Sequence, residues 1–173
     1  MKTRILVILS LLVSIGAVLH AIAPPILFGM RPDMLLAMMF LGILLFPKPK
    51  YTLLLSIATG MMSALTTTMP GGEIANMIDK PISAFIFLGI FSLINNRINA
   101  HISASILTAI GTIVSGSIFL VITLFVVNLL DGGFLGMFAA VVLPASVVNT
   151  ITMIVIYPLV QGVLKRLQFG TLT

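Results

Sequence analysis

The sequence predicts an all-α membrane protein, a bundle of six transmembrane helices with both the N- and C-termini cytoplasmic. Three observations carry that expectation. Charged residues make up 8% of the chain against 60% hydrophobic, with a mean hydropathy of +1.27, whereas soluble domains carry about 25% charged residues. The apolar residues fall into six segments, 5–23, 34–46, 51–69, 81–94, 102–130 and 134–163. The basic residues then divide unevenly between the two sides that those segments define.

A spanning helix needs about 20 residues, with a range of about 17–25. The first segment meets this length. Lys2 and Arg4 before it and Ala21-Ile22-Ala23 at its end resemble a signal peptide, but Pro24 would follow the cut directly and the apolar run is long for one. A retained helix is expected. The third segment also fits, the fifth and sixth are long enough to tilt, kink or protrude, and the second and fourth are short. Charge decides whether the short ones cross. With six spans and a cytoplasmic N-terminus, the inner side holds Lys2, Arg4, Lys48, Lys50, Arg97, Lys165 and Arg166, seven of the nine basic residues. The outer side holds Arg31 and Lys80 with all four acids, Asp33, Glu73, Asp79 and Asp131. Lys and Arg set orientation, and omitting the second segment would move Lys48 and Lys50 outside. Residues 1–173 are therefore expected to form one six-helix membrane domain.

The same composition excludes several chemistries. With no cysteine there is no disulfide framework, thiolate nucleophile or Cys-based metal site. The net charge of +5 follows from the positive-inside distribution and does not call for nucleic acid. No GxxxxGK[ST] phosphate loop occurs, so ATP hydrolysis by that route is excluded. The proposed spans contain no Asp, Glu, Lys or Arg, and a proton-driven carrier usually buries one there. His20 and His101 fall at opposite depths and cannot pair on a metal. No nucleophile stands beside Glu73 and Asp79. The expectation is a non-enzyme with no catalytic residue, metal or cofactor, whose energy for any transport comes from partners.

The polar residues cluster on the outer side. "TTTMPGGEIANMIDKP", residues 66–81, joins the third and fourth segments. Pro70-Gly71-Gly72 reads as a turn, and 73–78 as a short helical stretch placing Glu73, Asn76 and Lys80 on one face. Asp79 reads as an N-cap with Pro81 in the first turn that follows. The plain alternative is a solvated loop, with Asp79 capping and Glu73 in water. The loop "FGMRPDM" adds Arg31 and Asp33 on the same side. Paired cations and anions suit an amino-acid zwitterion, whose carboxylate takes Arg or Lys and whose ammonium takes Asp or Glu. Phe28, Met30, Met34, Met69, Met77, Phe134, Met137 and Phe138 lie near the outer ends and suit a flat aromatic group, though each also suits lipid or core. In the sixth segment Pro144 should kink the helix. Asn149 at mid-depth must face inward, either joining helices or reaching a ligand. Ala17 and Ala21 form a small-residue pair on the first helix, fit for packing within the bundle or against a partner.

"GAVLHAIAPPILFGMRPDMLLAMMFLGILLFPK" and "ATGMMSALTTTMPGGEIANMIDKPISAFIF" resemble the bacterial tryptophan transport family, TrpP, over about residues 15–94, polar loop motifs included. The resemblance implies the substrate-binding S component of an energy-coupling factor (ECF) transporter in the bacterial cytoplasmic membrane. Such a component captures its nutrient outside and works with a transmembrane coupling protein and two cytoplasmic ATPases. It also implies that Ala17 and Ala21 match the Ala-xxx-Ala motif that contacts the coupling protein. The family's ligand contacts are not carried over, so the candidate substrate site rests on chemistry and topology. It comprises Arg31 or Lys80 for the carboxylate, Glu73 or Asp33 for the ammonium, Asn76 and Asn149 for further hydrogen bonds, and Asp79 beside Lys80. Loops 24–33 and 69–80 would close over the ligand. A stand-alone carrier for an aromatic amino acid and a membrane scaffold without ligand are the competing readings.

Overall fold

A computed structural model describes residues 3–24, 32–94, 99–127 and 133–166. Among them are six helical runs and no strand: α1 (Thr3–Ile22), α2 (Met34–Leu45), α3 (Pro49–Thr66), α4 (Gly72–Ile94), α5 (Ala100–Val127) and α6 (Phe134–Arg166). Helices α1, α4, α5 and α6 are long and apolar enough to cross a membrane. The chain is thus a multi-pass, all-α membrane protein, as the apolar segments indicate.

The two segments that looked short have different fates. Helix α2 has 12 residues, about 18 Å at about 1.5 Å per residue, against about 30 Å of hydrocarbon. It is apolar on every side, and residues 35–44 are all buried. Such a helix needs cover all round, and it packs against α1, α3, α4, α5 and α6 as the axis of the bundle. The fourth segment, by contrast, is not short. Helix α4 begins at Gly72 and runs 23 residues with Pro81 inside it. The expected N-cap at Asp79 and helix start at Pro81 are therefore corrected: both residues lie more than one turn into a continuous helix. The reason is tertiary. Gly72, Ala75, Asn76, Asp79, Lys80, Ser83, Ala84 and Phe87 are buried, whereas Ile74, Met77, Ile78, Ile82, Phe85 and Ile86 point outward. Inward polar contacts and outward apolar contacts hold the helix through the donor that proline lacks.

Local chemistry fixes the ends. The turn before α4 has Gly71 at φ 76° and closes with Gly72 N–H donating to the Met69 carbonyl at 2.9 Å. Asp33 caps α2 by accepting from Leu36 N–H at 3.0 Å, and Asn99 caps α5 by accepting from His101 N–H at 3.2 Å. Pro49 opens α3. The effect expected of Pro144 takes the form of a π-helical turn at Phe138–Val142, directly before it. The ring of Pro144 would press on the Ala140 carbonyl, and a widened turn relieves that clash. Helix α5 also ends in a π-helical run, Ile122–Val127.

The interior has three levels. One large apolar cluster joins Ile5, Leu9, the middle of α2, Tyr51, Phe87, Leu107 and Tyr157. Within it Phe40 and Phe87 stack with centroids 4.1 Å apart, and a Cβ on Gly111 would stand 2.8 Å from the Phe40 ring. A smaller cluster of Met69, Leu120, Leu124, Met137 and Val142 closes the opposite end. Between the two lies a polar level.

A charged cavity between the apolar clusters

Helices α2, α4 and α5 bring their polar residues to one height. Asp33 stands one α2 length, about 18 Å, from that helix's far end. Lys80 lies about 21 Å from Ile94, and Ser115 about 22 Å from Ala100, at about 1.5 Å per residue. Agreement in height is what allows three separate elements to share one charge cluster.

At its centre is the Lys80 ammonium, which is 2% exposed. It lies 2.5 Å from Asp33 Oδ2 and 2.8 Å from Asp79 Oδ2. The two carboxylates differ. Asp79 is fully buried and also accepts from the hydroxyls of Ser83, one turn along α4, and Ser115, at 2.6 Å on α5. Asp33 has a side chain 21% exposed, and its Oδ1 takes the α2 cap bond. His20 Nδ1 is 3.2 Å from the Pro32 carbonyl and 4.0 Å from Asp33 Oδ1. A carbonyl only accepts, so Nδ1 carries the hydrogen. Burial by itself would raise the Asp33 carboxyl. The Lys80 ammonium, with help from His20 and the Leu36 N–H, outweighs burial and holds it below its ordinary value.

Above this cluster opens a cavity of about 100 Å³, walled by His20, Asp33, Asn76 and Lys80 with Thr67, Thr68, Thr112 and Ser115. Its apolar wall is Leu36, Met69, Phe119, Leu120, Val141 and Val142. A cavity with convergent charges on one wall and an apolar remainder is the ordinary form of a small-molecule site.

Of the residues singled out from sequence, Asp33, Asn76 and Lys80 line this cavity. Asp79 lies behind Lys80. Asn76 Nδ2 donates to the Ser63 carbonyl at 3.5 Å, a long bond. Asn149 is fully buried and donates to Thr112 Oγ1 at 3.3 Å, while its Oδ1 has no partner. It stands one residue behind the cavity wall. Glu73 is exposed in the first turn of α4 and does not face the cavity. Arg31 lies outside the described residues, as does most of the 24–33 loop. The 69–80 stretch is chiefly helix. Ala17 is half-buried and Ala21 exposed, both on α1 away from the cavity.

Sequence reasoning weighed His20 only as a metal partner and Ser115 only as a packing residue beside Gly111, and did not single out Ser83, Thr112 or Phe119. It also took the spans to be free of ionisable residues, whereas α4 carries Asp79 and Lys80 inside one. A signal for both existed. Apolar residues recur at 74, 77, 78, 82, 85 and 86 with helical spacing straight through Asp79-Lys80-Pro81. That pattern marks a continuous helix with its apolar face outward and Asp79, Lys80 and Ser83 inward.

A sequence model of the family described as "Tryptophan transporter TrpP" matches residues 2–165. A Bacillus subtilis protein named "Probable tryptophan transport protein" is 55% identical over 169 residues, covering 98% of this chain and 97% of its own. Proteins of the same name from Clostridium acetobutylicum and Clostridium perfringens are 39% and 34% identical, covering 93% and 95% of this chain and 94% and 95% of their own. No solved structure matches the chain.

Proposed function

The chain belongs to the tryptophan transporter family TrpP, and from that premise we propose that it captures tryptophan at the membrane for uptake. The observation that carries the reading is the ion pair of Asp33 and Lys80, backed by Asp79, on the wall of a cavity that also has an apolar side. Ionisable side chains in a membrane protein's interior are costly and mark ligand or ion sites. Here Asp33 and Lys80 meet the α-amino and α-carboxylate groups, with Asn76 at hand for a further hydrogen bond. Met69, Phe119 and Leu120 receive the indole. Asn149 supports the wall through Thr112. No catalytic step is assigned to any residue.

The finer reading is an S component of an ECF transporter, with a transmembrane coupling protein and two cytoplasmic ATPases as partners. It is supported by the absence of any phosphate loop from the sequence and by Ala17 and Ala21 on the outer side of α1. Basic residues concentrated at one side place both termini in the cytoplasm, and the cavity then lies in the outer half of the bilayer. The test is saturable tryptophan binding by the purified protein in detergent, together with recovery of ATPase subunits when it is isolated from its own membrane. Binding with copurifying ATPases is expected. Absence of saturable binding would sink the capture reading and favour a scaffold.

One observation favours a second reading. Asp79 and Lys80 are buried within α4, so the spans do hold ionisable groups such as a proton-coupled carrier uses. Uptake by proteoliposomes containing this chain alone, driven by a proton or sodium gradient, would establish a stand-alone carrier.

A further inference from the structure

Among the described residues the cluster holds two carboxylates and one ammonium, and that imbalance decides how an amino acid can bind. We propose that the ligand enters by exchange of an ion pair: its ammonium replaces Lys80 at Asp33, while Asp79, never touching the ligand, keeps Lys80 as its own counter-ion. The inference rests on the capture reading given above and names which charge of the amino acid anchors it.

The two carboxylates are built for different parts. Asp79 sits next to Lys80 on the same helix, is sealed from the cavity, and is fixed by the Ser83 and Ser115 hydroxyls. Asp33 belongs to another element, lies on the cavity wall and is partly exposed. Its Oδ1 is held by the Leu36 N–H, so Oδ2 can change partners without uncapping α2. Asp33 and Lys80 are in direct contact, which leaves no gap for a third group. A ligand must therefore displace one from the other.

Counting charges then ranks the ligands. An incoming ammonium takes Asp33, Lys80 retains Asp79, and every charge has a partner. An incoming carboxylate without an ammonium takes a donor of Lys80 but strands Asp33 beside a second negative charge, and an unpaired buried charge is heavily penalised. An amino acid gains both: the ammonium on Asp33, and its carboxylate on the Lys80 N–H that Asp33 has released. The ammonium is the anchor and the carboxylate an addition. Lys80 is first Asp79's counter-ion and only second a ligand group. Asp79 is a positioning residue, because without it Lys80, on leaving Asp33, would find its partner only in a carboxylate of the ligand.

The test uses three probes: tryptophan, tryptamine (no carboxylate) and indole-3-propionate (no ammonium). Each is measured for binding to the wild-type protein and to the Asp33→Asn and Asp79→Asn variants. Asparagine at 33 still caps α2. At 79 its single oxygen still accepts from one of the two serines while its amide donates to the hydroxyl oxygen of the other, so both variants keep the size of the original. In the wild type, tryptamine should compete within about tenfold of tryptophan and indole-3-propionate at least about a hundredfold worse, the range of one to two charge-assisted hydrogen bonds. In Asp33→Asn tryptophan and tryptamine should weaken by about tenfold or more. In Asp79→Asn tryptamine should weaken by as much and tryptophan by less, because its own carboxylate then partners Lys80. Indole-3-propionate should strengthen in both, because a competing negative charge is gone. A loss shared equally by all three probes would mean a merely structural role for Asp33 and Asp79 and would overturn the exchange. So would a wild type that takes indole-3-propionate better than tryptamine, a comparison that needs no variant to fold. Failure of all three probes on the wild type overturns the capture reading instead.

Discussion

Glu73 and Ser115 show how far the role of a single residue depends on what surrounds it. As letters, Glu73 is the natural partner for an ammonium, and Ser115 is half of a small-residue pair with Gly111 on α5. In the bundle Glu73 faces outward in the first turn of α4, where a negative charge suits the helix N-terminus. Ser115 is buried and donates to Asp79 at 2.6 Å. Replacing Glu73 by Gln should leave tryptophan affinity within about twofold, the usual reach of a surface change. Ser115→Ala removes a buried donor to a carboxylate and should lower the stability of the detergent-solubilised protein by about 1.5–3 kcal/mol. Ligand titration and thermal unfolding in the same detergent read the two effects. A Glu73→Gln protein that no longer binds would move the site off the cavity and back to the outer surface.

At the scale of helices, what was legible in the sequence was set by lipid, and what was not was set by neighbours. The number of helices, the turn at Pro70-Gly71-Gly72 and the disturbance at Pro144 follow from apolar runs and from the backbone limits of Pro and Gly. The start of α4 does not, because Asp79, Lys80 and Pro81 all carry local signals for a loop or a helix start. Their contacts to Asp33 and Ser115 come from α2 and α5, far away in the chain, and no local rule weighs them. The position of α2 as the buried axis was hidden for a related reason: a helix apolar on all sides looks the same whether it meets lipid or protein. Its length is the clue, since 12 residues cannot reach across the bilayer alone. Gly111 follows the same logic. A side chain there would strike the stacked rings of Phe40 and Phe87, joining α2 and α4 to α5. Gly111→Val should destabilise by about 1–3 kcal/mol through overpacking. It should also weaken tryptophan binding, because Phe40 and Phe87 lie on the two helices that carry Asp33 and Lys80. Ala at 111, with one carbon, should fall between glycine and valine in both measurements. Equal stability of all three proteins would mean that the ring stack does not set the spacing of these helices.

The whole molecule is apolar outside, and within it the polar side chains gather between and beside two apolar clusters. Val7, Leu11, Val18, Leu65, Phe125, Leu135, Val147 and Leu159 face outward, whereas Thr52, Ser56, Thr59 and Ser63 form an inward stripe along α3. Any membrane partner therefore meets a surface as apolar as lipid, and association must rest on shape, with small residues letting backbones approach. Helix α1 offers that shape. Ser10 and Ser14 are exposed there, and their hydroxyls donate to the carbonyls of Val7 and Ser10 at 2.9 Å each, which leaves a smooth face in line with Ala17 and Ala21. Neither alanine lines the cavity. Replacing both by leucine should consequently leave tryptophan binding to the purified protein unchanged, since the charge cluster and the apolar wall are untouched. If the chain works with a membrane-embedded coupling protein docked on α1, the same change should abolish ATP-dependent tryptophan uptake in cells and prevent recovery of the ATPase subunits. The two measurements separate the readings. Loss of uptake with binding intact puts the partner on α1. Uptake that continues at the wild-type rate would remove α1 as the docking face. Were that uptake also to persist after ATP depletion, Asp79 and Lys80 would stand as the ionisable groups of a carrier that works without partners.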